Sequence, residues 1–362
     1  MLFNRIKKMS NVINKKLDKI EVEPNRCLKV RAVISSCSAC MDVCPAKGSI
    51  LIGQDTLELQ DCLQCGLCTT VCPTNALKWN NPPLSQIEQR IKRLSKSERV
   101  VYVTCSKRKH KAHSSIVEVP CLGVFPTEFW MNIGLSVDNL SILQTSEDCQ
   151  TCTIKTGEQL FQTQLQEANK SIPNQIPICS EPEFDQNPNQ TVDYNKRNFL
   201  TTLMEDVKET NTITVKEVLE VNKTLSPFEK FDQYYQKKDE IEVLTDEVNE
   251  IKNSVADQML QNTVVHTDKR SQLLKAFQQS PQLQEKMTLP MPDITDRCTR
   301  CGACTFLCPT DALYTEGEDI ILATTKCVSC QLCAEICYEK HISLKPRPAT
   351  VLNDKYMYLL KS

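Results

Sequence analysis

The spacing of its cysteines constrains this chain more than any other feature. The run Cys62-Leu-Gln-Cys65-Gly-Leu-Cys68-Thr-Thr-Val-Cys72-Pro73 reads C-x2-C-x2-C-x3-C-P, and Cys298-Thr-Arg-Cys301-Gly-Ala-Cys304-Thr-Phe-Leu-Cys308-Pro309 repeats it. A third copy, Cys327-Val-Ser-Cys330-Gln-Leu-Cys333-Ala-Glu-Ile-Cys337, keeps the spacing but closes on Tyr338. A fourth is stretched: nine residues separate Cys27 from Cys37, which opens Cys37-Ser-Ala-Cys40-Met-Asp-Val-Cys44-Pro45. Three thiolates two residues apart on a tight loop can wrap one corner of an iron–sulfur cubane. The fourth comes three residues on, where the chain turns helical, and points to a second cluster. Such runs work in pairs, and here 17 residues separate Cys44 from Cys62 and 18 separate Cys308 from Cys327. Each gap carries a hairpin-like stretch, over 48–59 and 312–322.

The competing readings are structural zinc and disulfides. Zinc is satisfied by four ligands, usually two separated C-x2-C pairs, and paired triple runs fit it poorly. The first twenty residues are basic (Arg5, Lys7, Lys8, Lys15, Lys16), with no apolar core, cleavage site or twin-Arg pair, so they do not read as a secretory signal. A cytoplasmic location is therefore expected, and a reducing compartment leaves 21 Cys as metal ligands rather than disulfides. No stretch reaches the roughly 18 apolar residues of a membrane span. A formal net charge of −2 gives no general pull towards nucleic acid.

Residues 27–79 and 298–345 resemble bacterial two-cluster ferredoxin domains. The segments Cys72-Pro-Thr-Asn-Ala-Leu77 and Cys308-Pro-Thr-Asp-Ala-Leu313 fall where that family keeps such a segment. The resemblance implies four [4Fe-4S] clusters with crossed ligands. Cys27, Cys37 and Cys40 would share a cluster with Cys72, and Cys62, Cys65 and Cys68 with Cys44. In the second module Cys298, Cys301 and Cys304 would join Cys337, and Cys327, Cys330 and Cys333 would join Cys308. The stretched loop after Cys27 is sterically easy, because closure costs grow slowly with loop length. A three-iron cluster is the alternative there.

Between the modules, apolar runs at 100–103, 116–119, 140–143 and 176–178 alternate with helical patterns, notably 157–171, and predict a small parallel sheet. Ligand sites in such sheets gather beyond the carboxyl ends of the strands. Cys105, Cys121, Cys149 and Cys152 fall there and are expected to hold one further cluster, two-iron (2Fe-2S) as the first reading and four-iron (4Fe-4S) as the alternative. The layout is similar to the delta subunit of methyl-viologen-reducing hydrogenases, although it lacks that family's early C-x2-C and Gly-rich closing segment. Inert buried thiols are the competing reading, and Cys179 is read as structural or spare. The basic loop Lys107-Arg-Lys-His-Lys111 reads as a solvated face or as a docking patch for an acidic redox partner.

The expected fold class is α+β multidomain: two ferredoxin-like 2[4Fe-4S] modules flanking a small α/β domain and a helical segment. The boundaries are a basic segment at 1–24, a module at 25–82, the α/β domain at 98–181, a helical or linker region at 182–292 and the second module at 293–346. Within that linker a helix is expected at 195–207, a heptad-like stripe at 241–259 suited to a partner contact, and a last helix from 271. Neither G-x-G-x-x-G nor G-x4-G-K-[ST] occurs, so no phosphate cradle is present. No C-x3-C-x2-C triplet stands outside the ferredoxin-type runs. The chain therefore reads as an electron carrier rather than an enzyme. Its expected partners are a donor and an acceptor redox enzyme, for example a molybdenum oxidoreductase, a hydrogenase or a reductase. A disulfide or heterodisulfide reductase working through the middle cysteines, and a zinc or redox-sensing interaction protein, are the alternatives.

Overall fold

In the first module, the strands β1 (Ile20–Val22) and β4 (Leu77–Trp79) bring its two ends together as an antiparallel pair. Between them run α1 (Leu28–Arg31), α2 (Ala39–Val43), the hairpin β2 (Ile50–Ile52) and β3 (Leu57–Leu59), and α3 (Leu67–Val71). The expected hairpin between Cys44 and Cys62 is thus present. The structure, a computed structural model, describes residues 19–80, 82–183 and 268–361. Residues 195–207 and the stripe at 241–259 with its partner contact lie outside the described residues.

The amphipathic α4 (Leu84–Leu94) buries Leu84, Ile87, Glu88 and Ile91 and leads into the middle domain. There β5 (Val101–Cys105), β6 (Ile116–Val119), α5 (Thr127–Ser136), β7 (Leu140–Leu143), α6 (Ser146–Gln150), α7 (Thr156–Ser171) and β8 (Ile178–Cys179) follow in order. The four strands form one all-parallel sheet in the order β6-β5-β7-β8. Val101 to Thr104 are buried throughout, as expected of a strand covered on both faces. Two strands match the sequence expectation residue for residue; the first shifts to Val101–Cys105 and the last shrinks to Ile178–Cys179.

The described part of the region expected as helical or linker is helical up to Lys286, and its first helix covers the one expected from 271. Helices α8 (Asp268–Gln279) and α9 (Pro281–Lys286) are packed elements: α8 lies against α5, with Leu273, Ala276 and Phe277 buried. The second module comprises β9 (Thr288–Ile294), α10 (Ala303–Phe306), β10 (Leu313–Glu316), β11 (Asp319–Ala323), α11 (Leu332–Ile336), β12 (Ile342–Pro348) and β13 (Tyr356–Leu360). It repeats the first module's plan, with β12 against β9 and β10 against β11. It also runs past the expected 293–346, since β9 starts at Thr288 and β13 pairs with β11. All described residues belong to one compact unit, so the two modules and the middle domain pack together rather than standing apart on linkers.

Candidate metal centres

The three regular runs fold alike because the same backbone positions are left-handed. Gln64, Arg300 and Ser329 have φ of 50°, 56° and 54°, and Gly66, Gly302 and Gln331 have φ of 81°, 77° and 66°. These residues turn successive amides inward, the geometry that makes a concave anion nest; one such amide, Gln64 N–H, reaches Cys62 Sγ at 3.3 Å. Gly66 has a second reason to be glycine, since a Cβ there would meet Val124 Cγ2 at 2.5 Å and the Trp79 ring at 2.8 Å. A short helix follows each loop, with the third cysteine in its first turns and the fourth at its end. Then Asn75, Asp311 or Lys340, again at positive φ, reverses the chain. The reversal brings Ala312 N–H to Cys308 Sγ and His341 N–H to Cys337 Sγ, each at 3.3 Å. The stretched first run has none of these left-handed positions; α1 fills its long loop.

Two cavities show which cysteines meet. One, of about 320 Å³ including its mouth, is lined by Cys62, Cys65 and Cys68 together with Cys44. The other, of about 360 Å³, is lined by Cys327, Cys330 and Cys333 together with Cys308. Each therefore joins three thiols of one run to the last thiol of its neighbour. In the third group, burial pushes Cys40 up to about 12, and Cys72, Cys27 and Cys37 add to the rise. Cys37 is raised by burial and then by Cys72 and Cys27, against a lowering amide contact. In the fourth group, burial and then Cys298 and Cys301 push Cys304 up to about 11. Its expected companion Cys337 follows α11, which packs on α10, the helix that holds Cys304.

All 21 cysteines are free thiols. Buried thiols such as Cys40, Cys121 and Cys304 give up their protons when a cation binds, and soft iron–sulfur cores take thiolates readily. Among the described residues, no three His, Cys, Asp or Glu stand at the spacing of a single metal ion's ligands. The paired lining, three thiols of one run with the last of its neighbour, follows the shared-ligand pattern of a cluster rather than the two separated C-x2-C pairs of a zinc site. The residues present thus fit an iron–sulfur cluster.

In the middle domain Cys105 ends β5, Cys121 lies just past β6, Cys149 sits on α6 and Cys152 follows it. Burial pushes Cys121 up to about 12, with Cys105, Cys65 and Cys149 contributing and an amide contact at Gly123 opposing. Burial likewise pushes Cys149 up to about 11, opposed by Gln144 and assisted by Glu158, Cys105 and Cys152. The four thiols converge at the carboxyl edge of the sheet, and Cys121 also faces Cys65 of the first module. Cys65, Cys121 and Cys152 share one small apolar cluster with Leu67 and Ile154. Thr70 Oγ1 donates to Gly123 O at 2.7 Å and Thr156 Oγ1 to Val43 O at 2.8 Å, closing the same seam. Cys179 lies apart, accepting from Ser141 Oγ at 3.3 Å.

Several functional groups were not visible in the sequence. Gln144 Nε2 donates to Cys149 Sγ at 3.0 Å; its place one residue past β7 was the available signal. Arg108, read above as part of a solvated or docking loop, is instead bonded to the Asp148 carboxylate and to Ser180 O. Lys107, Lys109 and Lys111 remain exposed. Arg31 reaches from the first module to Phe306 O at 2.7 Å and Cys308 O at 3.2 Å in the second. Arg270, on α8, donates to Cys327 O.

Comparison with known proteins agrees with this geometry. The 4Fe-4S binding domain family matches residues 58–78 and 291–314. A ferredoxin-like protein in the nif region of Sinorhizobium fredii is 40% identical over 50 residues, which are 12% of this chain and 78% of that protein. The chain belongs to the ferredoxin family of 4Fe-4S proteins. It is thus an iron–sulfur protein of the electron-transfer kind, with a 4Fe-4S binding segment in each of its two terminal modules. No solved structure matches it, and the expected likeness of the middle domain to a hydrogenase delta subunit has no counterpart among these matches. Among the described residues, no helix is long and apolar enough to cross a membrane.

Proposed function

We propose that this ferredoxin-family chain is a multi-cluster electron relay, a polyferredoxin-like subunit passing single electrons between a donor and an acceptor redox enzyme. The observation that carries the reading is the pair of four-thiol cavities, each lined by three cysteines of one run and the last of its neighbour. Four [4Fe-4S] clusters would be held by Cys27, Cys37, Cys40 and Cys72; by Cys62, Cys65, Cys68 and Cys44; by Cys298, Cys301, Cys304 and Cys337; and by Cys327, Cys330, Cys333 and Cys308. Cys105, Cys121, Cys149 and Cys152 would hold a fifth, 2Fe-2S or 4Fe-4S. When bound, such clusters take up and release one electron with little rearrangement.

The chain's own residues supply the rest. Burial of Cys65, Cys68, Cys304, Cys308 and Cys327 keeps water from the sulfurs. Amide donors such as Ala312 N–H and His341 N–H stabilise negative charge on sulfur and so raise the potential. The Cys65–Cys121 contact places the middle site beside the first module, and Arg31 ties that module to the second. Among the described residues, the two histidines of the neighbouring loop are engaged elsewhere: His110 Nε2 is 2.9 Å from the Glu118 carboxylate, and His113 Nδ1 is 2.8 Å from Ser115 Oγ.

The test is anaerobic reconstitution of the full chain. Roughly 16 iron and 16 sulfide are expected from the four cubanes, with more if the middle site is filled. Cys149→Ser combined with Cys152→Ser should remove one spectroscopic component and spare dye reduction by the terminal modules. Half the expected iron and sulfide would refute the four-cluster reading.

A further inference from the structure

Helix α8 carries Arg270 in its first turn. Arg270 is 5% exposed, and its Nη2 donates to the carbonyl of Cys327, itself buried at 9% exposure. Its charge is felt at Cys327 and at Glu128. The start of α8 therefore stands against a cysteine that lines the second module's four-thiol cavity.

An arginine keeps its charge at any ordinary pH, and a buried charge is costly unless something nearby balances it. A cluster held by four thiolates carries net negative charge that grows on reduction, and potential follows local charge and exposure. In a site shielded from water, a fixed cation acts on that charge far more strongly than it would at the surface.

We propose that Arg270 raises the reduction potential of the cluster held at the Cys327 site, making it the more easily reduced station of the second module. The inference rests on the relay reading above. Arg270 is not a ligand. It acts by charge, so a variant that keeps the charge should keep the potential.

The test is an EPR-monitored redox titration of the reconstituted full chain, with dithionite as electron source. Cys327→Ser first identifies the component. Arg270→Gln should lower the midpoint of the Cys327-site component by about 59 mV, the equivalent of a tenfold change in a one-electron equilibrium. Arg270→Lys should hold it near the parent value. The remaining components should stay in place. An unchanged midpoint in Arg270→Gln, at full iron and sulfide content, would overturn the proposal and leave the relay reading intact. Should Arg270→Gln lose its iron, a lowered midpoint in Arg270→Lys would overturn it alone. Parent protein without iron–sulfur signals would instead bring down the relay reading itself.

Discussion

Glu88 is the polar pin that holds α8, and with it Arg270, in place. Its carboxylate is 4% exposed and lies on α4. It accepts from Lys92 Nζ at 2.8 Å, from Lys275 Nζ at 2.8 Å and from Gln272 Nε2 at 3.0 Å. Gln272 Oε1 in turn accepts from Asn132 Nδ2 at 2.6 Å, so one network joins α4, α5 and α8. Burial alone would raise the carboxyl, but the bonds from Lys275, Lys92 and Gln272 outweigh it and hold the pKa at about 2, down from an ordinary 4.5. At 1.36 kcal/mol per pKa unit, that drop corresponds to at most about 3 kcal/mol. The side chains of Lys275 and Lys92 are 40% and 35% exposed, and solvent screening reduces the figure to about 2 kcal/mol. Because the folded carboxyl sits below its ordinary value, this stabilisation is complete above about pH 4.5 and is lost as pH falls through about 2. Measurement at pH 7 therefore captures all of it. Glu88→Gln keeps the shape and removes the charge. Native-state hydrogen exchange of the holoprotein should then show amides of 268–279 opening roughly thirtyfold more often, the ratio equivalent to about 2 kcal/mol. Unchanged protection across 268–279 would refute the reasoning, whatever happened elsewhere.

Two further predictions concern the loops that carry the cysteines. Cys308→Ser should abolish the EPR component of the cluster assigned to Cys327, Cys330 and Cys333 and spare that of Cys298, Cys301 and Cys304; loss confined to the latter would mean that ligands are not crossed. Gln331 occupies, at φ 66°, the position that Gly66 and Gly302 hold in the sister runs. Relief of left-handed strain, about 1–2 kcal/mol, less glycine's backbone entropy, about 0.5–1 kcal/mol, makes Gln331→Gly stabilising by about 0.5–1 kcal/mol. A fall in the thermal midpoint would contradict this.

The cysteine runs were legible because their chemistry is local: spacing along the chain places three sulfurs on one loop, whatever surrounds it. The hairpins and the parallel strands were legible for a related reason, since buried apolar runs such as Ile116–Val119 and Leu140–Leu143 announce themselves. What escaped depends on distant partners. Strands β9 and β12 carry Pro290, Pro292, Pro346 and Pro348, residues that argue against strand in a sequence. They are tolerated because a two-stranded ribbon has only edges, with Pro290 directly opposite Pro346. Arg270 lies just before the helix expected from 271, and only the packing of α8 on α5 brings it to the Cys327 carbonyl. Arg108 looked like one more cation in a basic loop, although its partner Asp148 lies 40 residues on.

The bonds from Arg31 to the backbone of Phe306, Leu307 and Cys308 span 275 to 277 residues. The first module is made before the second, so the bonds that clamp Arg31 cannot form until residues 306–308 have been made. Contacts this distant in sequence form late, since a long loop must close before they give any return. These bonds are thus among the last to form. A chain stalled before residue 306 would leave the loop between Cys27 and Cys37 without its long-range clamp.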